Sequence, residues 1–268
     1  MNKIGFIGAG NLADSIIKGL TQRTTDYQIY LCDLLKEKAD ALARQYNVQS
    51  RVFAEVVRDA DILLLTVKPK DIKGLLQELA GYSLLGKLVI AVAAGIGLNM
   101  YEEALPGIGI VRVMPNTSCA VLHSVSGLVR GKYVTEDQAA AAERIFSAVG
   151  KVLWVEDSKI NAVTAVSGSG PAYFYLLTEL MAEAGAKLGL SREEANFLAR
   201  ETLVGAGKML AEITKTPQEL REAVTSPNGT TYAALKIFEQ EDLERIVFQA
   251  MQACLKRAEE MEREYKDE

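Results

Sequence analysis

An α/β fold is predicted, an N-terminal doubly wound sheet followed by an all-α C-terminal domain, and three observations carry it. Short apolar runs alternate with helical stretches up to about residue 115, a glycine-rich turn joins the first run to the first helix, and strand signals cease near Asp157. With 268 residues the chain can hold two ordinary domains, expected at 1–157 and 158–268.

The opening apolar runs are 3–7, 28–31, 62–67, 88–92 and 109–113. They are apolar on both faces, as parallel strands covered by helices are, and right-handed crossovers between them produce a Rossmann-like sheet. A strand at 124–129, a helix at 135–149 and a strand at 152–155 complete the first domain. Beyond it, Pro171 stands where a first-turn proline is tolerated and Gly189 where a helix stops. The apolar stretch 172–190 contains Glu179, Glu183 and Lys187, too many charges for a bilayer span, so a buried helix is expected, in a domain core or a subunit interface. Ser191-Arg192-Glu193-Glu194 and Thr216-Pro217-Gln218-Glu219 are capping boxes that start two more helices. The last helix begins near Asp242, and its charged end, 256–268, is expected to be solvated and fraying.

Composition narrows the function classes. Hydrophobic residues make up 49% and charged residues 24%, a balance that suits a globular chain. A net charge of −5 argues against a general grip on nucleic acid, so any bound anion must be held by local dipoles and hydroxyls. Cys32, Cys119 and Cys254 lack the paired spacing of a zinc site or redox dithiol and suit a reducing cytosol; no metal is expected. Met1-Asn2-Lys3 runs straight into a strand, without the pattern of a signal peptide, and a cytoplasmic location is expected.

Gly8-Ala9-Gly10-Asn11-Leu12-Ala13 lies between the first strand and a helix, the context of a dinucleotide-binding turn. Gly8 permits the tight turn, Gly10 leaves room for a pyrophosphate, and Ala13 lets the helix approach the strand, with the helix amino terminus facing the anion. Such a turn also serves flavins and other nucleotides. Asp33 ends the second strand, where a carboxylate can accept from the adenosine ribose hydroxyls and repel a 2′-phosphate. Cys32-Asp33-Leu34 therefore predicts NADH over NADPH, the alternative being that Asp33 caps the next helix. His123, the single histidine, is expected to be a packing or surface residue, which disfavours a lactate-type mechanism. Thr225-Ser226-Pro227-Asn228-Gly229-Thr230-Thr231 brings hydroxyls and free amides to a helix start, a receptor for a small carboxylate, unless it is plain capping.

Taken together, Gly8 to Ala13, Val67-Lys68-Pro69, Ala94-Gly95, Met114-Pro115-Asn116-Thr117, Ser167-Gly168-Ser169-Gly170-Pro171-Ala172-Tyr173 and Ser226 to Thr231 resemble the Δ1-pyrroline-5-carboxylate reductases over nearly the whole chain. The resemblance implies NAD(P)H-dependent reduction of a cyclic imine to proline and a helical C-terminal domain that dimerises. It further implies that Val67, Lys68 and Pro69 line the cofactor, that Ala94 and Gly95 lie beside the nicotinamide, and that Asn116 and Thr117 approach the same pocket. Ser226, Gly229, Thr230 and Thr231 would hold the substrate carboxylate, with the Thr231 hydroxyl at the ring nitrogen and Lys68 an alternative proton donor. Asn228 replaces a usual glycine, Phe53 a usual asparagine, and Cys32-Asp33-Leu34 a usual polar and basic group. These departures leave room for a related cyclic imino acid as substrate. Two rivals share the fold: a β-hydroxyacid dehydrogenase or broader imine reductase, the former disfavoured because Lys187 lies too far down its helix, and a non-catalytic nucleotide sensor.

Overall fold

The computed structural model describes residues 2–23 and 27–267. The first part of the chain runs β1 (Lys3–Ile7), α1 (Asn11–Arg23), β2 (Gln28–Cys32), α2 (Lys36–Tyr46), β3 (Gln49–Ser50), α3 (Phe53–Asp59) and β4 (Ile62–Leu65). It continues with α4 (Ile72–Leu79), β5 (Leu88–Ala91), α5 (Leu98–Ala104), β6 (Gly109–Met114), β7 (Ser124–Arg130), α6 (Glu136–Ser147), β8 (Gly150–Trp154) and α7 (Ile160–Val163). Helices α8 (Gly170–Lys187), α9 (Arg192–Glu212), α10 (Pro217–Ala223), α11 (Thr230–Gln240) and α12 (Leu243–Asp267) follow.

The strands form one sheet in the order β3-β2-β1-β4-β5-β6-β7-β8. From β3 to β6 all pairs are parallel, and the direction of winding reverses between β1 and β4. Alternation along the strands explains the two covered faces. Ile62 and Leu64 of β4 pack with Ile16, Ile17, Ile145 and Phe146, whereas Leu63 and Leu65 pack with Val56, Leu76, Leu79 and Tyr101. Each such fully buried side chain contributes about 1.5–3 kcal/mol.

The strand after the five parallel runs turns back, and β6 and β7 pair antiparallel. A parallel return needs a crossover of about a dozen residues or more. Here Met114 and Ser124 are joined through one short 3₁₀ turn, Thr117–Val121, closed by Leu122 in the left-handed region with φ 58°. The chain can only fold straight back. Helix α6 then supplies a true crossover, and β8 lies parallel to β7.

Two compact units emerge: the described residues up to Ser169 together with those from Cys254 onward, and a helical unit from Gly170 to Ala253. The first unit includes the residues on both sides of 157/158: α7 packs into its core, with Ile160 buried and Val163 filling the space above Gly127. The end of α12 requires a correction. Residues 256–268 were expected to be solvated and fraying, yet Ala258 is buried, Tyr265 packs on the core and Glu262 pairs with Arg112.

In the helical unit, both expected capping boxes are present at Ser191 and Thr216. Its buried apolar residues are small: Ala182, Ala195 and Ala199, which join α8 to α9. Helix α8 is not the core helix that its hydrophobicity permitted, because Phe174 is 57% and Leu176 55% exposed within the chain. Of the two expected settings, a core and a subunit interface, only the second remains open to it.

Candidate active site

The first cluster of predicted residues lies at the carboxyl ends of β1, β2, β4, β5 and β6, the edge where open α/β sheets receive ligands. Gly8 has φ 110°, and a Cβ there would stand 2.8 Å from the backbone carbon and oxygen of Thr66. No other residue fits that turn without strain. Thr66 Oγ1 donates to the Gly8 carbonyl at 2.7 Å and to that of Ile7 at 3.1 Å, tying the turn to the end of β4. A Cβ on Gly10, in contrast, would meet nothing within 4 Å. Ala13 is fully buried under β1, so α1 lies close to the strand. The amide of Asp14 is the first along α1 to reach a helical carbonyl, that of Gly10 at 3.0 Å, and the amides of Asn11 and Leu12 ahead of it have no such partner within the helix. An open, uncrowded helix start with a positive end is a fit receptor for a pyrophosphate.

Asp33 sits beside this turn. Its Oδ2 accepts from the Ala9 amide at 2.7 Å and its Oδ1 from the Leu35 amide at 2.9 Å. It does not cap α2, whose N-cap is Leu35 without a side-chain bond. Leu34 next to it is fully exposed. Burial, aided by the charges of Asp33 and Glu78, pushes the Cys32 thiol up to about 12. Nearby, Phe53 meets Tyr82 edge to face at 5.7 Å and Arg51 stacks on Tyr30 at 4.0 Å while pairing with Asp59.

Val67 and Lys68 follow β4, and Pro69 opens a short 3₁₀ turn; Lys68 is exposed. Ala94 and Gly95 follow β5 in a loop where Gly95 takes φ 74°. At the end of β6, Asn116 holds two segments at once: its Oδ1 accepts from the Ser118 amide at 3.1 Å and its Nδ2 donates to the Ser167 carbonyl at 3.0 Å. Thr117 is exposed beside it. Ser167 belongs to a π-helical turn, Thr164–Gly168, a form often found at functional sites. Ser169 Oγ lies 3.3 Å from Cys254 Sγ. His123 is exposed, and its Nδ1 lies 3.2 Å from the Val121 carbonyl of its own loop.

The second cluster belongs to the helical unit. Asn228 takes φ 58°, the left-handed conformation that asparagine tolerates best among non-glycine residues. Gly229 is the N-cap of α11, and a Cβ there would strike the Ser226 hydroxyl. As a glycine, the N-cap has no side chain to close α11, and Ser226, Thr230 and Thr231 stand close by in the chain. Helices α6, α9 and α10 are closed by capping boxes, whereas α2, α3 and α5 start, like α11, without a side-chain cap.

Thr66, Arg112, Asp157, Asn161 and Glu262 were not singled out from the sequence. Thr66 follows a strand end and was absorbed into the strand pattern. The others form pairs as far as 150 positions apart, for which no local pattern exists.

Comparison with known proteins adds the family. Residues 157–261 match the family model described as pyrroline-5-carboxylate reductase dimerisation, and residues 3–95 the one described as NADP oxidoreductase coenzyme F420-dependent. The chain is 43% identical over 263 residues to pyrroline-5-carboxylate reductase of Pseudomonas aeruginosa, covering 97% of this chain and 96% of that protein. It is 38% identical to the enzyme of Corynebacterium melassecola, covering 97% and 99%. Among solved structures, a pyrroline-5-carboxylate reductase from Coxiella burnetii superposes with a TM-score of 0.92 at 37% identity, covering 96% of this chain and 97% of that one. The Plasmodium falciparum pyrroline carboxylate reductase with NADP bound gives 0.85 at 27% identity, covering 97% and 98%. With a glycine turn open for a dinucleotide, an uncapped helix start among hydroxyls, and relatives matched from end to end, the chain belongs to the pyrroline-5-carboxylate reductase family.

Proposed function

We propose that this chain reduces the C=N bond of 1-pyrroline-5-carboxylate to L-proline and uses NADH in preference to NADPH. The observation that carries the substrate side is the opening of α11, with hydroxyls at hand and no side-chain cap. A helix start whose N-cap is glycine leaves its first amides bare, and such amides can receive a carboxylate. The Ser226 hydroxyl and the amides of Gly229, Thr230 and Thr231 hold the substrate carboxylate, and the Thr231 hydroxyl bonds the ring nitrogen. A cyclic imine nitrogen takes up a proton readily, so no strong enzymic acid is required, and the chain contributes orientation and electrostatics.

The reduced nicotinamide supplies the hydride when bound. Gly8, Gly10, Asn11, Leu12 and Ala13 hold its pyrophosphate, while Val67, Lys68, Pro69, Ala94, Gly95, Asn116 and Thr117 line the pocket. Asp33 faces the adenosine ribose and disfavours a 2′-phosphate by charge. The exposed apolar face of the helical unit supports assembly as a homodimer or as a group of dimers, and the three free cysteines suit the cytoplasm. Among the described residues, no helix is long and apolar enough to cross a membrane.

The test follows absorbance loss of NADH, and separately NADPH, with 1-pyrroline-5-carboxylate as substrate. Wild type is expected to oxidise NADH faster. Thr231→Ala should lower kcat/KM by roughly 10- to 100-fold, the value of a hydrogen bond of about 1.5–3 kcal/mol to a charged group. Full activity in that variant would remove Thr231 from the site, and no oxidation of either cofactor would remove the substrate assignment.

A further inference from the structure

The end of α12 is anchored at a functional loop. Ala258, Met261, Glu262 and Tyr265 are spaced by three and four positions and share one face of the helix. Glu262 Oε1 accepts from Arg112 at 2.5 Å and its Oε2 from Asn161 at 3.1 Å, and Asp157 takes the second guanidinium nitrogen at 3.2 Å. The Arg112 side chain is only 6% exposed, on the residue of β6 that pairs with Ala91 of β5. A cation so placed needs its partner, since an unmatched buried charge is costly.

Beside this ion pair the same face closes over Gly95. A Cβ on Gly95 would stand 2.8 Å from Met261 Cβ, 2.9 Å from Met261 Cε and 3.5 Å from the Tyr265 ring. The loop after β5 therefore has its left-handed glycine pressed under α12, against the helix face that also carries Glu262. Strand β5 and its neighbour β6 are linked to the C-terminal helix at both the polar and the apolar point.

We propose that Glu262 is a positioning residue that holds the Ala94–Gly95 loop in the form that receives the nicotinamide; this rests on the assignment of that loop to the cofactor made above. Its action runs through Arg112 and Asn161 on the polar side and through Met261 on the apolar side. Remote in sequence from every motif of the site, it makes the C-terminal segment part of the cofactor-binding apparatus.

The experiment compares full-length wild type, Glu262→Ala, Glu262→Gln and Met261→Ala. NADH affinity is read by fluorescence titration, backbone amide exchange over residues 92–101 in the protein without ligand, and KM and kcat with 1-pyrroline-5-carboxylate. Expected are NADH binding weakened about five-fold or more in Glu262→Ala and Met261→Ala, faster exchange over 92–101, and a KM for NADH that rises more than kcat falls. Glu262→Gln, which keeps an acceptor for Arg112, should recover most of the affinity. Wild-type NADH affinity and exchange in Met261→Ala, and in Glu262→Ala where it folds, would overturn the proposal even if the melting temperature dropped. Failure of the wild type itself to bind NADH would instead remove the cofactor assignment on which it stands.

Discussion

Both carboxylate oxygens of Asp33 are engaged, one by the Ala9 amide and one by the Leu35 amide. The residue thus joins the glycine turn to the end of β2 and keeps its charge beside the turn proposed to hold the cofactor. Asp33→Asn keeps an acceptor there and removes the charge. The ratio of kcat/KM for NADH to that for NADPH should fall about ten-fold, close to 1.4 kcal/mol of discrimination, and an unchanged ratio would end the role proposed for Asp33. Its neighbour Cys32 is buried, and burial, then Asp33 and Glu78, raise its thiol from 9.0 to about 12. The folded protein keeps that proton through a range in which the unfolded chain has lost it, so stability is retained below pH 9.0 and declines as pH rises toward about 12. Urea denaturation at pH 8 and pH 10 should show this decline, with a smaller one in Cys32→Ser.

At the scale of elements, the two glycines of the β1–α1 turn differ in the room around them. Gly8 has no space for a Cβ and carries a positive φ, whereas Gly10 has open space. Gly8→Ala should cost about 1–3 kcal/mol of stability through backbone strain and contact with Thr66. Gly10→Ala should leave stability within about 0.5 kcal/mol and weaken NADH binding, because only a ligand can meet the added methyl. Denaturant unfolding and NADH titration on the two variants check the pair; equal stability loss in both would show that Gly10 is structural.

For the whole molecule, the helical unit sets the requirement for a partner. Its buried apolar residues are three alanines, while Phe174, Tyr175, Leu176, Leu177, Leu180 and Met181 on α8 are all exposed within the chain. So much apolar surface is unstable in water for a unit with so small a core. Light scattering after size exclusion should find an oligomer, and Leu177→Glu with Leu180→Glu should shift it toward monomer and lower the melting temperature. A wild-type monomer at micromolar concentration would contradict the assembly.

Periodicity and turn chemistry made the parallel strands, the glycine turn and the two capping boxes legible from residues alone, because each depends on neighbours within a few positions. The resemblance of the motifs supplied the family. Folding decided what depends on distant partners: Asn116 on Ser167, 51 positions away; Thr66 on Gly8, 58 away; and Glu262 on Arg112, 150 away. The antiparallel β7 and the anchored end of α12 belong to the same class. A charged helix end with no visible counter-charge looks solvated in sequence, and only packing brings Arg112 to it and turns a tail into part of the first unit.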